Sequence, residues 1–531
     1  MYDLILRNGR VVDGSGAPWY RADLAIAGER IVAIGRRLDG PAARELDCAG
    51  LIVAPGFIDL HSHSDVTLLV NPRAESAVRQ GITTQVVGQC GFSAGPVRWE
   101  SRDAFRQDSF IFAYDGYEWT WRDIAGYRQA LAAAQPTINV ATLVGHGALR
   151  QFIMGAAARR PTPDELAGMQ RALDDALEQG ARGLSSGLTY APGRFAETDE
   201  LAALGKVVRR HGGVYHSHMR DYTRFLLDSI NETIAVGEAA GIPVNISHMY
   251  PGSPQFWGEL AHRATETVDA ARRRGVEATF DITPWTRGGG PYMQMLPSWA
   301  QDGGFSALKL RLQDPATRRR IAHELEHGAP DWKGWLPIAW DDQLIAKVGR
   351  PANQSWCGRT IADIAAERGL PPAETALLLL LEDDGQYWTA PTIKSQDDIN
   401  HILSHPLGVP ITDGMALAPY GPLHQPTMPR SYGTFPRVLG RYVREWGVLR
   451  LETAVQKLTS MPAMRVGLAD RGILRQGLYA DITVFNPDTV LDRETYQDPH
   501  AFPAGIEHVI INGRLVVEAG VQSDARPGKV L

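Results

Sequence analysis

The sequence predicts an α/β fold in which parallel strands covered by helices form a barrel, with a small β domain beside it. Between about residues 160 and 285, a helix, a glycine, a short apolar strand and a polar residue follow one another four times. The polar residues fall at the carboxyl ends of the strands, which in a barrel is the catalytic face. A doubly wound open sheet is the alternative, although no glycine-rich phosphate loop follows the first strand.

The repeating helices have clear start and stop signals. The first begins at the capping box Thr162-Pro163-Asp164-Glu165, with proline at its first position, and ends at Gly180. Glycine is favoured there because it adopts the left-handed conformation at which helices end. In chain order, the expected helices are 162–180, 198–210, 225–240 and 260–274, and the expected strands are 181–185, 214–218, 243–248 and 276–281.

The two chain ends have a different pattern, because both contain short strands of alternating polarity broken by turns. Neither end can bury a core alone, so we expect 1–55 and 470–531 to pair into one small β-sandwich. The barrel then occupies 56–469. Within it, residues 286–350 are rich in Gly, Pro and Trp, and we interpret them as an insertion that forms a lid over the barrel mouth. The insertion's aromatic side chains either line an acyl pocket or pack the lid.

Composition limits the classes of function. The chain has 531 residues, a net charge of −6 and 44% hydrophobic residues, so neither nucleic acid nor an anionic membrane is expected as a partner. Its three cysteines cannot build a disulfide framework, and no secretory signal or membrane-spanning run is visible. We therefore expect a cytoplasmic protein that acts on a small molecule. Its oligomeric state is left open.

Two histidines follow the first strand of the barrel region, in Gly56-Phe57-Ile58-Asp59-Leu60-His61-Ser62-His63. Alternate residues of a strand point the same way, so His61 and His63 project side by side. Two adjacent imidazoles suit a metal better than a packed core, where each ring needs a polar partner.

Three more candidate ligands close later strands: Cys90, His218 and His248. Thiolate and imidazole are good zinc ligands, and strand ends in a barrel converge on one point. His216 also points inward, but we interpret it as a core or supporting histidine. Asp413 closes a strand late in the barrel, where a carboxylate beside a metal can act as general base and then protonate a leaving amine.

These residues lie within six motifs that occur in a characteristic order. They are Gly56–His63, Gly88-Gln89-Cys90-Gly91, Leu184–Gly193, His218-Met219-Arg220, Ile246-Ser247-His248 and Tyr432–Arg437. Together they resemble the N-acyl-D-amino-acid deacylases, or D-aminoacylases, of the amidohydrolase superfamily, over nearly the whole chain. The resemblance implies a distorted (β/α)8 TIM-like barrel with a small β domain, and zinc-dependent hydrolysis of an amide bond.

The resemblance also implies roles for individual residues. Cys90, His218 and His248 match the residues that hold zinc tightly. His61 and His63 match a second, weaker metal position that Cys90 can bridge. Asp413 matches the catalytic aspartate.

The substrate-binding half of the pattern departs from the family. Family members have a lysine shortly after the second metal histidine and a tyrosine after the next strand, where this chain has Tyr250 and Trp285. Arg430 is retained. We expect Tyr190, Tyr250, Trp285, Arg287 and Arg430 to contact substrate, with Arg430 or Arg287 taking a carboxylate if there is one.

Three alternatives to deacylation of N-acyl-D-amino acids remain open. The same scaffold can act on another C–N substrate, such as a cyclic amide, a carbamate or a neutral N-acyl amine. Deamination is chemically close, since the same hydroxide can attack an amidine carbon. A non-catalytic relative is the third, but it has no chemical reason to keep a full set of metal ligands.

Overall fold

The computed structural model describes residues 1–112, 114–329, 332, 334–425 and 427–531. Its strands, in chain order, are β1 Leu4–Val11, β2 Tyr20–Ala27, β3 Arg30–Gly35, β4 Glu45–Asp47, β5 Ile52–Pro55, β6 Phe57–Asp59, β7 Ile82–Val87, β8 Asn139–Thr142, β9 Val144–Gly145, β10 Gly183–Gly187, β11 Val214–His218, β12 Val244–Ile246, β13 Ala278–Ile282, β14 Ile345–Lys347, β15 Trp388–Thr389, β16 Gly408–Pro410, β17 Ile482–Phe485, β18 Ile506–Ile511, β19 Arg514–Glu518 and β20 Val521–Gln522.

The helices cover the barrel and build the insertion. They are α1 Thr67–Val70, α2 Glu75–Val78, α3 Arg102–Asp108, α4 Ile124–Ala134, α5 His146–Met154, α6 Pro163–Glu178, α7 Thr198–Arg210, α8 Leu226–Ala240, α9 Glu259–Arg273, α10 Gly304–Gln313, α11 Pro315–His327, α12 Ile361–Arg368, α13 Pro372–Glu382, α14 Gln396–Ser404, α15 Arg430–Arg437, α16 Leu451–Leu458 and α17 Ser460–Arg465. Among the described residues, none of these helices has both the length and the apolar character needed to cross a bilayer.

Two parallel sheets form the barrel. One has the order β6-β7-β8 and the other β9-β10-β11-β12-β13-β16. Because β8 and β9 are consecutive pieces of one strand, the two sheets fill the eight positions of a (β/α)8 barrel. The ring closes where the chain after β16 pairs with the chain after β6, through a bridge between Ser62 and Gly414. The break between β8 and β9 distorts the barrel, as the sequence predicted.

The helix–strand repeat seen in the sequence forms one continuous wall of this barrel, from β10 to β13. Helix α6 has the expected capping box, in which the Thr162 hydroxyl accepts from the Glu165 N–H and the Glu165 carboxylate accepts from the Thr162 N–H. Helix α7 and strand β11 match their expected bounds. Helix α8 ends at Gly241, which has a φ of 66° and donates its N–H to Gly237.

Both chain ends contribute to one nine-stranded sheet beside the barrel, ordered β20-β19-β18-β17-β5-β1-β2-β3, with β4 paired to β1. The chain just before β17 also bonds to β3 at the far edge, where the Ile31 N–H donates to the Leu478 carbonyl at 3.0 Å. The sheet therefore curls around a shared core. Its strands lie within the two end segments expected to form the small β domain.

A long excursion separates β13 from α14 and β16. It contains α10 to α13, the β14–β15 hairpin and its own buried cluster, which includes Tyr292, Phe305 and Leu380. The excursion continues past residue 350, the expected end of the insertion, because α12 and α13 pack into the same buried cluster as α10 and α11. Residues 330, 331 and 333 of the expected insertion lie outside the described residues.

Candidate metal centre and active site

His61 and His63 lie directly after β6, at the carboxyl end of the barrel. The His63 N–H donates to the Gly414 carbonyl at 2.7 Å, and the His61 carbonyl accepts from the Asp413 N–H at 2.9 Å. This backbone pairing places the Asp413 carboxylate against both rings. Its Oδ1 lies 3.5 Å from His61 Nε2 and 3.2 Å from His63 Nε2.

The Cys90 thiol lies at the centre of the cluster. Its Sγ is 3.2 Å from His61 Nε2 and 3.6 Å from His248 Nε2. Donor atoms of His61, Cys90, His248 and Asp413 all lie within 4.8 Å of one another. Sulfur, nitrogen and oxygen donors in this arrangement are those that zinc prefers.

His218 completes the cluster from the end of β11. Its ring stands edge-on to the His248 ring, with centroids 4.6 Å apart, and its Nε2 lies 2.7 Å from the Thr189 hydroxyl oxygen. Among the described residues, no hydrogen-bond partner reaches the buried Nδ1 of His218 or of His248. Buried polar atoms are normally paired, so these two nitrogens favour a bound cation.

Three residues of the cluster have left-handed backbone. The φ angles are 54° at Cys90, 36° at His248 and 45° at Asp413. This region is uncommon for residues other than glycine, and such strain clusters at functional sites. In each case the chain turns sharply just after a strand, which aims the side chain into the barrel mouth.

The charges around the cluster favour the ionised forms of two groups, the Cys90 thiol and the Asp413 carboxyl group. Burial alone raises the pKa of the Cys90 thiol, but the neighbouring imidazoles outweigh it and hold that pKa well below its usual range. Burial opposes ionisation of Asp413 as well. The Arg430 guanidinium, 2.9 Å from Asp413 Oδ2, and the His63 ring hold the pKa of Asp413 well below its usual range.

The histidines divide into two groups. Burial lowers the pKa of His61 and His63, but Cys90 and the surrounding carboxylates reverse this, raising the pKa of His63 to about 9 and that of His61 well above its ordinary value. Burial lowers the pKa of His218 to about 4, so its ring is neutral, which is the form in which an imidazole binds a metal. His216 is a buried supporting residue, and its Nδ1 lies 3.2 Å from Gln89 Oε1.

Asp281 is a supporting residue that the sequence analysis did not single out. It lies at the carboxyl end of β13, wholly buried, and its Oδ1 accepts from the His248 N–H at 2.5 Å. Its Oδ2 accepts from the Asn245 amide at 2.5 Å and lies 3.9 Å from His61 Nδ1. Carboxylates in such positions orient the histidines that bind metals. The sequence signal that could have identified Asp281 is its position at the end of a predicted strand, which it shares with the predicted ligands.

The cluster forms the floor of a cavity of about 400 Å³. Polar lining near the cluster comes from Tyr190, Tyr250, Lys394 and Arg430, and the wall contributed by the insertion includes Met295, Trp332, Trp335, Leu336 and Ile338. The Tyr190 ring packs 4.7 Å from the His218 ring, and the Tyr250 ring stacks 5.1 Å from that of Tyr222. A cavity with a polar floor and an apolar wall suits a small amphipathic molecule.

Two of the residues expected to contact substrate are directed elsewhere. The Trp285 indole N–H donates to the Thr434 hydroxyl at 3.0 Å, and its ring packs on the Arg437 guanidinium. Arg287 pairs with Asp342 at 2.7 Å. Neither lines the cavity described above. Lys394, which the sequence analysis did not single out, comes from the end of the insertion instead.

Comparison with known proteins identifies the family of this chain. The family model described as "Amidohydrolase family" matches residues 44–517. The chain is 37% identical to the N-acyl-D-glutamate deacylase of Alcaligenes xylosoxydans xylosoxydans, covering 100% of this chain and 96% of the relative.

Solved structures of similar proteins agree in fold over the whole chain. An N-acyl-D-glutamate deacylase from Bordetella bronchiseptica, complexed with zinc and a phosphonate inhibitor that mimics the tetrahedral intermediate, has a TM-score of 0.84 and 34% identity, covering 100% of this chain and 99% of that one. A D-aminoacylase with a binuclear metal centre has a TM-score of 0.82 and 32% identity, covering 100% of both chains. These matches confirm the fold and the resemblance identified from the sequence motifs. The chain belongs to the amidohydrolase family and is a metal-dependent amidohydrolase.

Proposed function

We propose that this protein hydrolyses the amide bond of N-acyl-D-amino acids, releasing a carboxylate and a D-amino acid, with zinc as its metal. The observation that carries the proposal is the meeting of one thiol, four imidazoles and one carboxylate beneath a small-molecule cavity. Relatives similar over the full length of this chain are deacylases of N-acyl-D-amino acids.

We assign the tightly bound zinc to Cys90, His218 and His248. The low pKa of the thiol, the neutral ring of His218 and the 3.6 Å contact between Cys90 Sγ and His248 Nε2 support this assignment. We assign a second, weaker position to His61 and His63, which can share the Cys90 sulfur. The pKa values of these two histidines are raised, so protons compete with a metal there more strongly than at His218.

Asp413 is suited to move the proton that the reaction requires. When bound, zinc would lower the pKa of a water molecule and polarise the substrate carbonyl. Arg430 keeps Asp413 ionised, so its carboxylate can take a proton from the attacking water. The same carboxyl group then donates that proton to the departing nitrogen, which leaves as an amine.

The alternatives have less support. Nothing in the cavity requires a cyclic amide or carbamate, and the full-length relatives act on N-acyl-D-amino acids. A non-catalytic role does not explain why Asp413, Arg430 and the metal-ligand candidates meet at one point. The polar floor and apolar wall both fit an N-acyl amino acid.

The decisive experiment combines metal analysis with turnover. The zinc-loaded protein is given racemic N-acetyl amino acids, and the D and L products are resolved on a chiral column. We expect at least one equivalent of zinc and release of the D-amino acid alone. Neutral N-acyl amines are the comparison substrates. Faster hydrolysis of these than of any N-acetyl-D-amino acid contradicts the proposal.

A further inference from the structure

Lys394 is a buried cation that faces the substrate cavity. It lies two residues before α14, is 2% exposed, and donates from Nζ to the Thr283 hydroxyl at 2.6 Å. The Tyr250 ring lies beneath it, with its centroid 4.6 Å from Nζ. Among the described residues, no carboxylate lies within 4.0 Å of this ammonium group. A buried charge without a counter-ion is costly, so the position favours an anionic ligand.

Another buried lysine, Lys457, shows a contrasting ammonium group that has two backbone hydrogen-bond partners. Lys457 donates to the carbonyls of His405 and Gly408 at 2.6 and 2.7 Å, away from the cavity. Lys394 makes one hydrogen bond to a hydroxyl, and a lysine has three N–H donors. Lys394 lines the same cavity as His218, His248 and Asp413, so a ligand in that cavity can reach its remaining donors.

The surroundings of Lys394 keep its ammonium group accessible. A Cβ built on Gly288, which also lines the cavity, would lie 3.2 Å from Nζ, so glycine leaves this side open. Burial and the nearby positive charge of Arg430 lower the pKa of Lys394 to about 7, while Asp413 opposes the shift. Lys394 and the catalytic carboxylate of Asp413 line the same cavity.

Three other cations near the cavity are already paired with carboxylates. Arg430 pairs with Asp413, Arg287 with Asp342, and Arg220 with Glu232. Arg194 lines the cavity too, and among the described residues its buried Nη1 has no hydrogen-bond partner, so it is the competing candidate that the test must separate from Lys394. Arg194 lies after β10, in a different part of the rim.

We propose that Lys394 binds the carboxylate of the substrate, a role that rests on the proposed deacylation of N-acyl amino acids. The segment after His248 carries Tyr250 in place of a lysine. In this chain Lys394, at the end of the insertion, places a positive charge in the same region, over the ring of that tyrosine. The substrate class therefore retains a free carboxylate, although the expected lysine is missing.

A binding experiment tests this role without depending on turnover. The probe is N-methanesulfonyl-D-leucine, whose sulfonamide is not hydrolysed, and its matched analogue is the primary carboxamide of the same compound. Affinities for the zinc-loaded protein are measured by calorimetry for the wild type and for Lys394→Met, Lys394→Arg and Arg194→Met. Zinc content and thermal unfolding are recorded for each variant.

We expect Lys394→Met to weaken binding of the carboxylate probe about 10- to 150-fold, the range for a hydrogen bond to a charged group, with the carboxamide unchanged. Lys394→Arg should restore much of the difference. Equal weakening of both probes, no weakening, a selective loss in Arg194→Met instead, or no binding of the carboxylate probe to the wild type each overturns the role. Failure of the proposed deacylation is a separate result, since the wild type would then release no D-amino acid.

Discussion

Replacing Asp281 with asparagine tests whether the buried carboxylate at the end of β13 supports the metal centre. The change keeps the size of the side chain and an acceptor for the His248 N–H. It removes a negative charge 3.9 Å from His61 Nδ1. It also sets an amide N–H₂ against both the Asn245 donor and His61, because the oxygen that it replaces, Oδ2, faces both of them.

The expected loss follows from that geometry. Two unit charges 3.9 Å apart interact by about 4 kcal/mol at an effective dielectric constant of about 20. The interaction is weaker when His61 is neutral, as a metal ligand must be. We therefore expect zinc to bind about 10- to 100-fold more weakly, or about 1.4 to 2.7 kcal/mol, the usual range for removing such a supporting partner.

Competition with a chelator of known affinity measures this loss directly. The matched control is Asn245→Ala, which removes a hydrogen bond to the same carboxylate but keeps its charge. Both variants should lower the free energy of unfolding of the zinc-free protein, but Asp281→Asn alone should weaken zinc binding by tenfold or more. Equal zinc affinity in Asp281→Asn and the wild type would refute the role given to this carboxylate.

Three further predictions concern the centre and the cavity. Asp413→Asn should lower kcat on an N-acetyl-D-amino acid about 10²- to 10⁴-fold while zinc content, measured by mass spectrometry, stays at one equivalent or more. Cys90→Ser should reduce zinc retained after dialysis, because an alcohol does not ionise as the thiol does; full retention argues against Cys90 as a ligand. The carboxylate probe should bind more weakly as pH rises through about 7, where Lys394 loses its proton, and calorimetry across pH 6 to 9 with the carboxamide as control checks this.

Much of the fold could be predicted from local sequence signals. The capping box at Thr162 and the glycine after α8 set the helix ends, and the apolar runs between helices gave β11 with its observed bounds. The rule that parallel strands end on one face then brought His61, Cys90 and His248 together without long-range information. The helix ends and the strand bounds depend on residues close to each other in the chain.

The substrate side of the site depends on long-range packing, which the local pattern does not contain. Lys394 lies 144 residues after Tyr250, and it reaches the same place because the insertion folds back over the barrel mouth. Trp285 was expected in the cavity because it stands where family members have a tyrosine, and Arg287 because it was an alternative cation for a carboxylate. Their contacts with Thr434 and Asp342 come from α15 and the insertion, which local sequence patterns cannot place.

The left-handed backbone at Cys90, His248 and Asp413 has a practical consequence for making this enzyme. Each such residue costs about 1–3 kcal/mol, which the rest of the molecule must offset before any ion is bound. An ion bound to the finished site stabilises only the folded state. Supplementing a growth medium with zinc should therefore raise the yield of intact protein from a culture, and starving the cells of zinc should send more of the chain to proteases.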